Sequence, residues 1–354
     1  YLVLAAGMYF YQIYQNITSC KRFYRNIERM NTYLFEIKNY LGQSIVNMTQ
    51  FTEKHSNKKS YSAFCEDINK HVIVLTEYRN ILSEIDISGS FFQRLGSVGY
   101  MLQSYYELHS NKKYDESVRY SFGFEGFLDN LRGVSSHYSS GYISAAQLDN
   151  TSSCSFKNQY YPGHIDETDC IKNNCELDKK LIITGPNASG KTTMLKSTTI
   201  NVICSQQIGC GFYESAVINP YTHIHSYLNI PDTSERDSLF QAESRRCKEI
   251  IDSIVKCPSE EGYRHFGIFD ELYSGTNPNE ATKSGFAFLK YLSKFNHVDF
   301  ILTTHYVKIC SKFKKNKFIR NHKMDVVQDD LGKLKYTYKM KQGISKIEGA
   351  IRIL

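Results

Sequence analysis

An α/β domain preceded by an all-α helical arm or bundle is the architecture this 354-residue sequence predicts, on three observations. Three short apolar runs, LIIT (181–184), HFGIFDE (265–271) and DFILTTH (299–305), each end in polar residues, and helical stretches separate them. That alternation belongs to a sheet with its working loops at the strand ends. Upstream, apolar residues recur instead at helical spacing. The division is placed at residues 1–120 for the helical part and 121–354 for the α/β part.

In the first part, Phe23, Ile27, Met30, Leu34, Ile37 and Leu41 form one stripe, and Gly42 is placed to stop that helix. A second stripe runs Phe64, Ile68, Val72, Leu75, Tyr78 and Leu82. DISGS (86–90) reads as a turn, 91–108 as a further helix and HSNKKYD (109–115) as a polar loop. Helix-on-helix core explains both stripes; a coiled-coil dimer seam is the alternative, at about three heptads each. Residues 1–20 carry no charge. Their dense apolar part, 1–11, is shorter than the roughly 20 residues a bilayer requires and lacks a basic leader, so it is expected to begin a buried helix. A membrane partner enters only if an upstream segment extends it.

Net charge is +7, which permits an anionic partner without requiring one. Ten scattered cysteines include no C-x-x-C pair, which excludes zinc ribbons and thioredoxin-like chemistry and points to a reducing compartment, cytoplasmic or nuclear. Lys308, Lys312, Lys314, Lys315, Lys317, Arg320 and Lys323 fall in one stretch without an acid. Such a run contacts nucleic-acid phosphates or forms a solvated edge, and the plainer reading is the edge.

The chemistry concentrates at three strand ends. Gly185, Pro186, Asn187, Ala188, Ser189, Gly190, Lys191, Thr192 and Thr193 satisfy the phosphate-loop pattern G-x4-G-K-T, with a strand before and a helix after. Glycines let successive backbone N–H groups face phosphates, and the helix N-terminus adds partial positive charge. Lys191 is expected to reach the β- and γ-phosphates of ATP, and the Thr192 hydroxyl to ligate Mg²⁺. Asp270 is the second expected Mg²⁺ ligand, and Glu271 the general base that polarises the attacking water. His305 closes the third strand. It either contacts the γ-phosphate and orients the water or is an ordinary surface histidine.

Together ITGPNASGKTT, DELYSGTNPNEA (270–281) and TTHY (303–306) resemble the ATPase domain of MutS-type mismatch-repair proteins, which belong to the ABC-like P-loop ATPases. SLFQAE (238–243), NHKMDV (321–326) and the closing YTYKMKQGISKIEGAIRIL extend the resemblance over about 121–354. It implies ATP hydrolysis at sites completed by a homodimer or heterodimer through the ATPase domains. Ser238 would reach the γ-phosphate held by the partner, and Ser274–Asn277 would cross the interface. Residues Ile171 to Asn173 would line the adenine. Double-stranded DNA is an implied partner. The chain departs from the family in reading Tyr273-Ser274-Gly275-Thr276 for Gly-Arg-Gly-Thr and in carrying Cys170 where an aromatic is common. About 120 residues are too few for the mismatch-reading, connector, core and clamp domains, and no Phe-x-Glu mismatch wedge is expected anywhere in them.

Overall fold

The computed structural model describes residues 2–85, 96, 98–150, 153–165, 170–228, 239–328 and 334–346. They form two compact units, Tyr1–Ser135 and Ser136–Leu354. The expected division at 120 falls inside one continuous helix, Lys112–Ser139, and the change of unit comes near that helix's end.

The first unit is helical: α1 (Leu2–His55), α2 (Ser62–Ser83), α3 (Val98–Ser110) and α4 (Lys112–Ser139). Leu34, Leu41 and Met48 of α1 and Ile68, Leu75 and Leu82 of α2 are all essentially inaccessible. Each set repeats every seven residues, the spacing that keeps one seam facing a neighbouring helix. Here the neighbour lies within the chain, so the stripes are helix-on-helix core. Phe51 closes one end of this core, with the rings of Phe64 and Phe124 at 5.7 and 5.6 Å. Two Phe-x-Glu tripeptides, Phe51-Thr52-Glu53 and Phe64-Cys65-Glu66, thus do occur in this part, but their rings pack against each other.

Three expectations are corrected. Gly42 does not end α1, because a lone glycine costs a helix only about 1 kcal/mol and the buried positions Ser44, Met48 and Phe51 continue the packed face beyond it. The loop 109–115 shrinks to Asn111, whose side-chain Oδ1 accepts from the Lys113 N–H and so starts α4 at once. The start of α1 is not buried: Val3 is 87% and Phe10 68% exposed, and the first core residue is Ile27. The physical reason is length: α1 spans roughly 80 Å and α2 about 33 Å, at 1.5 Å per residue, so α2 is too short to cover it. No helix among the described residues is long and apolar enough to cross a membrane. The turn at 86–90 lies outside the described residues.

The second unit is mixed α/β, with two mixed sheets, and fits an α/β NTPase-like domain. Its strands are β1 (Ser144–Leu148), β2 (Ser155–Gln159), β3 (Asn173–Glu176), β4 (Lys180–Thr184), β5 (Cys210–Gly211), β6 (Ser215–Ile218), β7 (His223–Tyr227), β8 (His265–Asp270), β9 (Val298–Thr304), β10 (Ile319–Gln328) and β11 (Leu334–Gln342). A six-stranded sheet runs β11-β10-β4-β9-β8-β7, and a five-stranded sheet β3-β2-β6-β1-β5. In the larger sheet every neighbouring pair is parallel except β10–β11. Buried on both faces, β4, β8 and β9 read as continuous apolar runs. The helices of this unit are α5 (Lys191–Ile208), α6 (Leu239–Lys256), α7 (Pro278–Leu292) and α8 (Val307–Lys312).

Candidate functional site

Register brings the three predicted strand ends together. Thr184, the last residue of β4, pairs with Thr304 of β9, and Asp270, the last of β8, pairs with Thr303. The loop after β4, the acidic pair after β8 and His305 after β9 therefore leave the sheet at one edge.

The loop 185–190 has the conformation its residues permit. Gly190 sits at φ +92°, and a Cβ there would lie 3.1 Å from the Tyr338 ring. A Cβ on Gly185 would come within 2.6 Å of Ser189 Oγ. Pro186 is buried, Asn187 and Ala188 are exposed, and Ser189 Oγ is buried without a hydrogen-bond partner. Helix α5 begins at Lys191 directly after Gly190, so its unpaired first-turn N–H groups belong to this loop. The side chain of Lys191 is only 6% exposed; Nζ donates to the Pro186 carbonyl at 3.1 Å and stands 4.0 Å from Glu271 Oε1. Burial pushes its ammonium below the ordinary lysine value, and the Glu271 and Asp270 carboxylates oppose that shift.

The Thr192 hydroxyl donates to Asp270 Oδ2 at 3.0 Å, and Thr303 Oγ1 donates to Asp270 Oδ1. Thr303 is a member of the constellation that sequence reading did not single out for a role. Thr193 is exposed. Among the described residues no three His, Cys, Asp or Glu side chains are grouped to hold a metal. A divalent ion at Thr192 and Asp270 would thus take its remaining ligands from phosphate and water, as Mg²⁺ sites commonly do.

Glu271 receives His305 Nδ1 at 3.3 Å. This hydrogen bond is the chief reason its carboxyl is held below the usual range; the charge on Lys191 adds to it and partial burial opposes it. Glu271 is thereby kept ionised. Its backbone is left-handed at φ +50°, and that of Tyr273 at +59°. For residues with side chains this conformation costs on the order of 1–2 kcal/mol each and persists only where the surroundings enforce it. Two contacts do so: the Tyr273 N–H donates to the Tyr227 hydroxyl at 3.2 Å, and buried Glu243 accepts from the Ser274 N–H at 2.9 Å. Glu243 is the last residue of the SLFQAE segment. Ser238, its first, lies outside the described residues.

Beside the loop is a cavity of about 630 Å³, lined by Ala188 to Thr193 on one side and by Tyr161, Cys170, Ile171, Asn173 and Tyr338 on the other. Ile171 and Asn173 stand where a base was expected to lie. Tyr338 was missed because β11 lies some 150 residues further along the chain. Asn173 ties β11 in place: its Nδ2 donates to the Tyr338 carbonyl at 3.0 Å, and its Oδ1 accepts from the Met340 N–H at 2.7 Å.

In this mixed α/β domain a glycine-bounded loop opens a helix beside an acidic strand end and a cavity of ligand size, and a helix N-terminus of this kind can accept an anion. Residues 181–353 match the family described as MutS domain V. The chain is 26% identical over 183 residues to the DNA mismatch repair protein MutS of Listeria monocytogenes, covering 49% of this chain and 20% of that protein. It is 25% identical over 181 residues to the MutS of Persephonella marina, with 50% and 20% covered. To the Endonuclease MutS2 of Streptococcus pyogenes it is 26% identical over 241 residues, with 67% and 29% covered. The chain thus spans between a fifth and three-tenths of these curated relatives.

Proposed function

We propose that the second unit is a P-loop ATPase of the ABC-like kind, which binds Mg²⁺-ATP and hydrolyses it to ADP and phosphate at a site completed by a second copy or a related subunit. The observation that carries this reading is the meeting of Lys191, Thr192, Asp270, Glu271 and His305 at the aligned ends of β4, β8 and β9. Lys191 and the backbone N–H groups of the loop hold the phosphates. Thr192 and Asp270 hold Mg²⁺, which neutralises charge developing on the phosphates. Glu271, ionised and oriented by His305, takes the proton of the attacking water. Tyr338, Ile171 and Asn173 bound the base. The loop Ser274–Thr276, anchored by Glu243, and Ser238 face the partner's nucleotide. The work done with this energy is DNA maintenance, in line with the names of the relatives. The exposed apolar start of α1 supports a second reading, in which a protein or membrane partner takes that load.

Two variants test the assignment. Lys191→Ala is expected to weaken ATP binding by two orders of magnitude or more in titration calorimetry; parental affinity would refute the phosphate-loop role. Glu271→Gln keeps binding but slows single-turnover hydrolysis by 10²-fold or more, the usual scale of a general base. Hydrolysis at the parental rate would remove Glu271 from the chemistry.

A further inference from the structure

One stretch of the sequence accounts for the net positive charge of this protein. Residues 278–323 hold ten Lys/Arg and two acids, a net of +8, whereas the whole chain is +7. The remaining residues therefore sum to −1. Of the two acids, Glu280 is engaged by Thr276 Oγ1, and Asp299 lies beneath the surface against Arg264.

The fold brings several of these cations together on α7 and α8. Lys283 and Lys290 recur at i and i+7, within about 20° of one line along α7 and over about 10 Å, and exposed Lys294 follows just past the helix end. Lys308 and Lys312 stand one turn apart on α8. The two rows are contiguous: Lys283, Lys308 and Lys312 line one open groove of about 390 Å³, with Asn279, Thr282 and Ser311 between them. The Lys312 and Lys290 ammonium groups lie 4.6 and 5.9 Å from the centre of the Phe286 ring. Three further exposed lysines follow before Phe318. None of these eight lysines makes an ion pair with a described residue, although exposed lysines elsewhere do. Unpaired like charges repel, so the arrangement is electrostatically unfavourable until an anion neutralises it.

We infer that the outer face of α7 and α8 is a docking surface for the phosphodiester backbone of duplex DNA. The Lys283–Lys290 row of about 10 Å matches the axial length over which one strand presents about three phosphates. The exposed Asn279 amide supplies a neutral donor between the charges, suited to phosphate oxygens. A protein partner fits less well, since interface cores are depleted in lysine. Both helices also start beside the residues proposed for hydrolysis. Asn277, which caps α7 by accepting from the Asn279 and Glu280 N–H groups, follows Glu271 by one short loop, and α8 begins two residues after His305. DNA seated here would bear on the two elements that carry the base and its orienting histidine. The DNA link rests on the functional reading above; the surface itself does not.

The test is fluorescence anisotropy of a labelled 20-base-pair duplex with the full chain, without nucleotide, from 50 to 200 mM salt. The Lys283→Gln/Lys308→Gln/Lys312→Gln variant is compared with Lys54→Gln/Lys248→Gln/Lys256→Gln, which removes equal charge elsewhere, and both are checked for parental melting. Three lost phosphate contacts flatten the log–log salt slope by about 2.7, removing about a 40-fold share of the salt-dependent loss of affinity over this range. The expected result is that change in the first variant and none in the second. Equal behaviour of the two variants overturns the proposal. So does a parent that ignores duplex but binds phosphatidylserine vesicles or polyglutamate. Because nucleotide is absent, failure here leaves the ATPase reading to stand or fall on Lys191 and Glu271.

Discussion

Acid is expected to weaken the second unit through a stack of histidines at the end of the larger sheet opposite the nucleotide loop. His223 and His225 of β7 and His265 of β8 stack with ring centres 4.8 to 6.3 Å apart, and His297, just before β9, meets His265 edge-on at 5.4 Å. His265 Nε2 lies 2.9 Å from the Cys257 carbonyl and must donate to it, so in the neutral ring Nδ1 accepts, and His225 Nε2 donates to it at 2.8 Å. This arrangement requires His265 to stay neutral, while burial is what opposes charge on His225. Burial, helped by His265, His223 and Arg246, pushes His225 down to about 4. His265 and His297 are lowered as well, chiefly by burial. A lowered folded-state value means that the unfolded chain binds more protons below about 6.5, so stability is full above that pH and falls as pH drops towards 4. Between pH 7 and 5, His225 alone accounts for about 2 kcal/mol. Urea unfolding followed by circular dichroism at both pH values, for the parent and for His225→Gln, measures this. The glutamine amide keeps a donor towards His265 but does not titrate in this range. The parent should lose about 2 kcal/mol more than the variant, and equal losses would refute the reasoning.

Replacing Glu243 by Ala removes a buried carboxylate acceptor from the Ser274 N–H and frees the left-handed Glu271–Tyr273 turn. The expected outcome is a loss of about 2–3 kcal/mol, on the scale of hydrogen bonds to charged groups, with slower hydrolysis and little change in ATP affinity; an equal loss of affinity would mean that Glu243 supports the binding loop itself. Gly42→Ala is expected to stabilise α1 by roughly 0.5–1 kcal/mol. The new Cβ would lie 3.2 Å from Arg79 Nε, at the far end of an exposed and flexible side chain. A lower melting temperature would show that Arg79 cannot yield.

What was legible in the sequence followed from spacing. Strands buried on both faces announce themselves as apolar runs, and the residues at their ends were therefore placed in advance: Lys191, Asp270, Glu271 and His305 all lie within one constellation. The stripes through Ile27, Leu34 and Leu41 and through Ile68, Leu75 and Leu82 likewise exposed the helical core. The five-stranded sheet was not legible, because its strands are two to five residues long and only partly apolar, as in SFKNQ and NNCE. Gly42 misled because local propensity was weighed without the packing beyond it. The apolar start of α1 misled because periodicity cannot show whether a neighbouring helix is long enough to cover it. Tyr338 and the histidine stack depend on partners distant in the chain, which no local window contains.

The pairing of β10 with β4 has a consequence for the order of events in synthesis. Residues 180–184 acquire one neighbour from 298–304 and the other from 319–323, and the Thr184 hydroxyl accepts from the Ser345 N–H at 2.9 Å. The loop at 185–190 is thus flanked by segments made more than a hundred residues after it. Contacts so distant in sequence close late and slowly. A chain growing from the ribosome carries its phosphate-binding loop long before the strands that fix its shape exist. The final shape of the loop therefore waits until residues 298–304, 319–323 and 345 have been made.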